Sequence, residues 1–89
     1  MKYTVVFSSD AKKDLRELEK KAPTAIPKLA KLLDEISEHP RYGTGQCEQL
    51  KGFDGKVYSR RITHEHRLIY RVYEQTVEVL VLSAFGHYR

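Results

Sequence analysis

The most continuous apolar run of the chain lies close to its C-terminus, in the segment "TVEVLVLSAF", residues 76–85. Its closely spaced aliphatic residues are Val77, Val79, Leu80, Val81 and Leu82. Such a run predicts a strand that is covered on both faces and therefore lies in the interior of a sheet. The fold is thus expected to form around a strand that ends just before "GHYR". Chain ends usually fray, but these last residues would start from a fixed place on the rim of the sheet.

The N-terminal region predicts a strand and then a helix. The segment "KYTVVF", residues 2–7, is rich in β-branched and aromatic residues, which favour a strand. Ser8 or Ser9 is expected to cap a helix that begins near Asp10, whose carboxylate suits the positive end of the helix dipole. Pro23 ends this helix. Its apolar positions follow helical spacing at Ala11, Leu15, Leu18 and Ala22.

A second helix is predicted directly after Pro23. Thr24 is a suitable cap, and Pro27 is tolerated in the first turn. The apolar stripe consists of Ile26, Leu29, Leu32, Leu33 and Ile36. Two short helices with one apolar side each predict a helical hairpin that packs on a sheet.

The second half of the chain has a period of two. "HPRYGTGQ", residues 39–46, is a loop, because it has one proline and two glycines in a short span. "KVYSRRI" and "RLIYRVY" predict strands that are separated by a turn at "THEH". The predicted fold is α+β in the order β-α-α-β-β-β, a helical hairpin on a mainly antiparallel twisted sheet.

Size and composition indicate one domain over residues 1–89, since the chain has only 89 residues. A single cysteine, Cys47, excludes an internal disulfide framework. No segment approaches the roughly 18 apolar residues of a membrane span, and the N-terminal apolar run is too short for a signal peptide. We therefore expect a cytoplasmic protein.

The positive charge is unevenly distributed along the chain. The formal net charge is +4, and residues 41–71 contain seven Lys and Arg residues against three Asp and Glu residues. A local surplus of cations attracts polyanions such as RNA. A solvated basic surface is an equally acceptable interpretation of charge alone.

The alternation of side chains along the strands predicts a basic open face. In "RLIYRVY" one set should face the helices (Leu68, Tyr70, Val72) and the other the open side (Arg67, Ile69, Arg71, Tyr73). Arg60 and Arg61 point to opposite faces, so only one of them can join this open side. The preceding loop supplies Glu48 and Lys51, and the chain end supplies His87 and Tyr88.

These groups suit phosphodiester cleavage by the 2′-hydroxyl of RNA. A carboxylate or neutral imidazole can remove the 2′ proton, and an acid must protonate the departing 5′ oxygen. A guanidinium stabilises the extra negative charge on phosphorus. No metal is required, so no cofactor is expected.

Taken singly, each residue also has a structural interpretation. Glu48 can be a surface carboxylate, Arg67 an ion-pair partner, His87 a solvated histidine and Tyr88 a packing residue. The "HEH" at residues 64–66 lacks the spacing of a helical zinc motif. Cys47 has no evident activation as a nucleophile.

The whole pattern is more specific than its parts. "EQLKGFDGKVYSRRITHEHRLIYRV", followed by a chain end in "GHY", closely resembles the Txe/YoeB family of bacterial toxins within the RelE-like superfamily. The resemblance covers nearly the whole chain, and it is tightest from Glu48 to Tyr70 and again at His87 and Tyr88. It implies one RelE-like domain.

The resemblance also implies an activity. Family members are endoribonucleases that cut messenger RNA in the ribosomal A site and so stop translation. It makes Glu48 the general base, Arg67 the group that stabilises phosphate charge, His87 the general acid and Tyr88 the residue that completes the site. Positions that match basic contacts to RNA or the ribosome are Lys51, Arg60 and Arg61.

The partners implied are a cognate antitoxin, the ribosome with its mRNA, and operator DNA only through the toxin–antitoxin complex. Whether the free protein is a monomer or a homodimer stays open. Two departures from the family pattern are Cys47, where relatives often carry proline, and Arg89 beyond the usual final tyrosine. A toxin-like module that binds the ribosome or nucleic acid without cutting is the alternative, and a basic domain that serves only as an antitoxin partner is a third.

Overall fold

The computed structural model describes residues 2–86 and confirms the α+β architecture, with two helices packed on a five-stranded sheet. The elements are β1 (Thr4–Phe7), α1 (Ser9–Lys21), a 3-10 turn (Pro23–Ala25), α2 (Ile26–Glu38), β2 (Glu48–Gln49), β3 (Val57–Arg61), β4 (Arg67–Tyr73) and β5 (Glu78–Ser83). The strand order is β1-β5-β4-β3-β2, and β1 and β5 run parallel while the other pairs are antiparallel. Neither helix of this region is long and apolar enough to cross a membrane.

The last strand lies in the interior of the sheet, as its apolar run predicts. β5 pairs with β1 on one side and with β4 on the other. The prediction that both faces of this strand are covered was wrong, however. Val79 and Val81 are fully buried under the helices, whereas Leu80 and Leu82 on the other face are only half-buried. The apolar run therefore marks a central strand with one fully covered face.

The helix boundaries follow local chemistry for α1 and less so for α2. Ser8 caps α1, because its hydroxyl accepts a hydrogen bond from the Ala11 amide at 3.0 Å. The predicted cap at Thr24 is wrong. Residues 23–25 form a 3-10 turn that continues directly into α2, which begins without a side-chain cap and has a proline in its first turn. The chain leaves helical geometry only at Ala22, between α1 and the 3-10 turn, with φ -143° and ψ 60°.

The sheet contains one strand that the sequence did not predict. Glu48 and Gln49 form β2 by pairing with Ser59 and Tyr58 of β3. Two residues are too few to display an alternating pattern, so only the neighbouring strand reveals the element. β2 forms one edge of the sheet and removes Glu48 from the loop in which it was expected.

The face of the sheet that meets the helices forms the core. Its β4 residues are the predicted set Leu68, Tyr70 and Val72, each at most 1% exposed. The predicted helix stripes pack against them, with Leu18 of α1 and Leu32 of α2 among the buried residues. The alternation along β4 is therefore confirmed.

A buried arginine joins this core to the loop between α2 and β2. Arg60 is fully buried on the helix side of β3. Its Nε donates a hydrogen bond to the Tyr70 hydroxyl at 3.0 Å, and its Nη2 donates to the main-chain carbonyls of His39 and Tyr42. Its Nη1 forms an ion pair with Glu35 of α2. Burial acts to lower the pKa of Arg60, but its bonds with Tyr70 and Glu35 raise that pKa above its ordinary value.

The Glu35 carboxylate completes this network from the helix side. It accepts hydrogen bonds from the Thr44 amide at 2.6 Å and from the Thr44 hydroxyl at 2.8 Å. Gly43, with φ +135°, is required beside it, because a Cβ at this position would overlap the Glu35 carboxylate and crowd the Arg60 guanidinium. The loop is thus held by polar contacts at Tyr42 and Thr44, just ahead of β2.

The hydroxyl of Tyr70 is expected to contribute measurably to stability. It donates to the Pro40 carbonyl at 2.6 Å and accepts from Arg60, and burial raises its pKa, which keeps it protonated. Tyr70→Phe leaves these two groups without that partner and should lower the free energy of unfolding by about 1–3 kcal/mol in urea denaturation. Tyr58→Phe is the matched control, because residues 2–86 offer the Tyr58 hydroxyl no hydrogen-bond partner, and it should change stability by less than about 0.5 kcal/mol. Equal effects of the two changes would contradict this account.

The ion pair of Glu35 should give a specific pH dependence. Hydrogen bonds from Thr44 lower the pKa of Glu35 below its ordinary value of 4.5, assisted by Arg60 and opposed by burial. A lowered folded-state pKa stabilises the fold above pH 4.5, and this contribution is lost as the pH falls through the folded-state value. The difference in unfolding free energy between the parent and Glu35→Gln should therefore be constant near neutrality and shrink below about pH 4.5. Parallel curves from pH 7 to pH 3 would refute the assignment.

Candidate active site

Glu48 stands at the edge of the sheet with its carboxylate directed to solvent. It is the first residue of β2 and lies opposite Ser59 of β3. Its side chain is 61% exposed. The backbone pairing of β2 with β3 fixes the position of the residue, while the carboxylate stays accessible to a ligand.

Arg67 lies next to this carboxylate. It is the first residue of β4, and its side chain is 15% exposed. Its Nη2 lies 3.3 Å from the Oε1 of Glu48, and its Nη1 donates a hydrogen bond to the Ser59 hydroxyl at 2.8 Å. The sequence prediction that Glu48 and Arg67 converge on the open face therefore agrees with the geometry.

Ser59 is a site residue that sequence reasoning missed. It is fully buried, and its hydroxyl lies between the strands that bear Glu48 and Arg67. The signal was present in "KVYSRRI", because alternation places Ser59 on the same face as Arg61. An exposed ion pair contributes only about 0–1 kcal/mol. We infer that Ser59 and the strand pairing, more than the ion pair itself, hold the Arg67 guanidinium in place.

The segment that follows β5 contacts Arg67 on the edge of β4 that faces β5, whereas Glu48 lies on the side of β3. The Arg67 amide donates a hydrogen bond to the Gly86 carbonyl at 2.9 Å. The Gly86 amide in turn donates to the Nδ1 of His66 at 2.9 Å. The predictions for His87 and Tyr88 fall outside the described residues. What is described is that the residue before His87 is bonded to the backbone of Arg67.

The three further basic residues lie in different environments. Arg61 is half-buried on the open face, where its Nε donates to the Gln46 side chain at 3.0 Å. Lys51 is exposed in the turn after β2 and forms no ion pair within the described part of the chain. Arg60 points to the helices and is buried, so the structure does not bring its guanidinium to this surface.

The open face has a second arginine farther along β4. Arg71 lies four residues beyond Arg67, where it is 3.9 Å from the Asp54 carboxylate and lies over the Tyr73 ring. A surface hollow of about 370 Å³ at this end of the sheet is lined by Lys56 and residues 71–76. Neither Glu48 nor Arg67 lines this hollow, and the described ion pair of Arg71 is with Asp54, not with Glu48.

Metal ligation has no support in the described region. Among residues 2–86 there is no group of three His, Cys, Asp or Glu side chains that could hold an ion. In the "HEH" turn, His64 and Glu65 are exposed, while the Nδ1 of His66 is occupied by the Gly86 amide. Cys47 is half-buried, with its Sγ 3.6 Å from the Tyr70 hydroxyl.

This arrangement places a group that can accept a proton next to a group that can bind an anion. Glu48 is an accessible carboxylate that can act as a base, and Arg67 is a partly buried guanidinium in a fixed orientation. Oriented donors of this kind stabilise charge that develops during a reaction better than mobile ones do. A base beside a fixed guanidinium suits a reaction in which a proton is removed next to an anionic group.

Comparisons with known proteins show a family match and a matching fold. Residues 7–88 match the model of the YoeB-like toxin of bacterial type II toxin-antitoxin systems. The Toxin YoeB of Mycobacterium bovis is 41% identical over 61 residues, which cover 68% of this chain and 69% of that protein.

Two solved structures from Staphylococcus aureus are similar over nearly the full chain. A YoeB dimer has a TM-score of 0.83 and 31% identity, covering 99% of this chain and 100% of that one. YoeB in a heterotetrameric YoeB–YefM toxin-antitoxin complex has a TM-score of 0.79 with the same identity and coverage.

Proposed function

We propose that this chain, which belongs to the YoeB-like toxins of bacterial type II toxin-antitoxin systems, is an endoribonuclease that cuts messenger RNA in the ribosomal A site. The observation that carries the proposal is the contact between Glu48 and Arg67 beside the anchored C-terminal segment. Membership of the family supports a nuclease in general. The ribosome dependence and the roles of individual residues are the proposal.

Glu48 is the general base in the proposed mechanism. It removes the proton of the 2′-hydroxyl, whose oxygen then attacks the adjacent phosphorus. Its 61% exposed side chain allows direct access to an RNA strand laid over the open face. A general base in position contributes typically about 10²–10⁴-fold to the rate.

Arg67 stabilises the charge that accumulates on the phosphoryl oxygens. Its guanidinium is held by a hydrogen bond to Ser59, so it can face the phosphate without a large rearrangement. His87 protonates the 5′ oxygen as the P–O5′ bond breaks, and Tyr88 completes the site. The products are a 2′,3′-cyclic phosphate and a 5′-hydroxyl end, and each proton has a donor and an acceptor without a metal.

The basic residues around the pair have different proposed roles. Arg61 pairs with Arg67 across β3 and β4, and Lys51 is exposed in the turn three residues after Glu48; both are proposed to contact RNA or the ribosome. Arg60 has no exposed surface, and we assign it instead to holding the loop between α2 and β2.

The proposed partners are a cognate antitoxin and the translating ribosome. The heterotetrameric YoeB–YefM complex of the Staphylococcus aureus relative supports the antitoxin, and the dimer of that relative supports a homodimer of this chain. Operator DNA would be bound only through the toxin–antitoxin complex. The site of action is the bacterial cytoplasm, where mRNA is translated.

Removal of the base and the acid together should abolish cleavage. The parent should stop cell-free translation and produce new mRNA 5′ ends within the A-site codon, as mapped by primer extension. The Glu48→Ala, His87→Ala double variant should lose at least about 10²-fold in cleavage rate. Glu19→Ala, an exposed carboxylate on α1, is the matched control and should act like the parent. Arrest without new 5′ ends would favour the non-cleaving module, and a double variant as active as the parent would rule out the acid–base mechanism.

Replacement of Arg67 by lysine should not preserve activity. Arg67→Lys keeps the charge, but its single amine cannot contact both Ser59 and a phosphate in the way a planar guanidinium does. The cleavage rate on programmed ribosomes should fall by at least about tenfold, whereas complete loss of one oriented donor typically costs about 10²–10³-fold. Arg16→Lys on the exposed side of α1 is the control and should leave the rate unchanged. Equal rates for Arg67→Lys and the parent would refute this role of the guanidinium geometry.

A further inference from the structure

The turn between β3 and β4 holds His66 in a fixed orientation. The His66 carbonyl accepts hydrogen bonds from the Ile62 amide at 2.9 Å and from the Thr63 amide at 3.2 Å. The Thr63 hydroxyl accepts from the His66 amide at 3.1 Å. The backbone on both sides of the imidazole is therefore fixed, directly before Arg67.

His66 contacts the C-terminal segment in two ways. Its Nδ1 accepts the Gly86 amide at 2.9 Å, and its ring stacks on the Phe85 ring with centroids 4.4 Å apart. A hydrogen bond from the Gly86 amide to Nδ1 requires that nitrogen to carry no proton of its own, so the N–H of the ring in this contact is Nε2–H.

Gly86 is bound through both of its main-chain polar groups. Its amide goes to His66, and its carbonyl accepts from the Arg67 amide at 2.9 Å. Gly86 has φ +82°, a left-handed conformation that favours glycine and turns the chain at this point. We call this arrangement of His66, Arg67 and Gly86 the C-terminal clamp.

We propose that His66 is a positioning residue of the nuclease site. Through the C-terminal clamp it fixes Gly86, the residue that precedes the general acid His87. The proposal rests on the proposed function, because that function requires an acid at His87. The acid must reach the leaving oxygen on the phosphate that Arg67 binds. Because the clamp includes the backbone of Arg67, it sets the position of the chain before His87 relative to Arg67.

A purely packing role for His66 makes a different prediction. The stack on Phe85 needs only a flat ring, whereas the bond to Gly86 needs an acceptor at the position of Nδ1. Three variants separate the two roles. His66→Phe keeps a ring without an acceptor, His66→Asn can place an amide oxygen near the Nδ1 position, and His66→Gln extends its amide toward the Nε2 position.

The variants should differ in turnover more than in affinity. Single-turnover cleavage on programmed ribosomes at saturating concentration should fall about 10–100-fold for His66→Phe and His66→Gln, since small misplacement of a reacting group costs up to about 10²-fold. His66→Asn should recover at least about tenfold over His66→Gln by the same argument. The ribosome concentration for half-maximal rate should stay within about twofold of the parent, because Lys51 and Arg61 are untouched.

Two results would overturn the positioning role. One is a turnover of His66→Phe equal to that of the parent. The other is a turnover of His66→Asn no better than that of His66→Gln, and this comparison holds even if His66→Phe does not fold.

Amide hydrogen exchange at Gly86 distinguishes failure of the clamp from failure of the proposed function. In the parent this amide should be protected, and His66→Phe or His66→Gln should speed its exchange at least about tenfold, while the Val81 amide, in the central strand, should be unaffected. Unchanged exchange in both variants would refute the clamp in a protein that still cuts. A parent that does not cut mRNA would remove the catalytic meaning of the clamp together with the proposed function, whatever the exchange result.

Discussion

The buried guanidinium of Arg60 is the interaction on which the site depends most. A buried charge destabilises a fold unless its donors are satisfied. Here α2 supplies the Glu35 carboxylate, β4 supplies the Tyr70 hydroxyl, and the intervening loop supplies main-chain carbonyls. These partners come together only when helix, loop and sheet are in their final arrangement. The same network therefore stabilises the native packing and holds the loop that leads into β2, where Glu48 lies.

Adjacent residues of β3 serve the two sides of the sheet. Ser59 faces the candidate site and bonds to Arg67, whereas Arg60 faces the helices and bonds to Tyr70. A shift of one residue in register would exchange these faces along the whole strand. It would bury Arg61 in the place of Arg60 and remove the hydroxyl that supports Arg67. Correct packing of the core and correct placement of the site are thus one structural requirement.

The sequence predicts well what a periodic pattern encodes. Alternation along β4 placed Leu68 in the core and Arg67 on the open face, and helical spacing located both helices. It predicts poorly what depends on distant partners. The two-residue strand at Glu48 exists only because β3 lies beside it, and the burial of Arg60 depends on a carboxylate 25 residues away. Family resemblance supplied the proposed roles of Glu48 and Arg67, but alternation alone could not show that Arg60, and not Arg61, faces the interior.

The segment that follows β5 needs contacts of its own to stay ordered, because fixing each residue costs about 1–2 kcal/mol of conformational entropy. In this protein β5 is paired on both edges as far as Val81 and with β4 alone as far as Ser83. Side-chain contacts then extend that order, since the Ala84 amide donates to the Asp14 carboxylate at 3.0 Å and Phe85 stacks on His66. Gly86 is bound on both sides. Each residue from Ala84 to Gly86 is thus held by a contact of its own, so the chain is ordered from the central strand up to its bond with the backbone of Arg67.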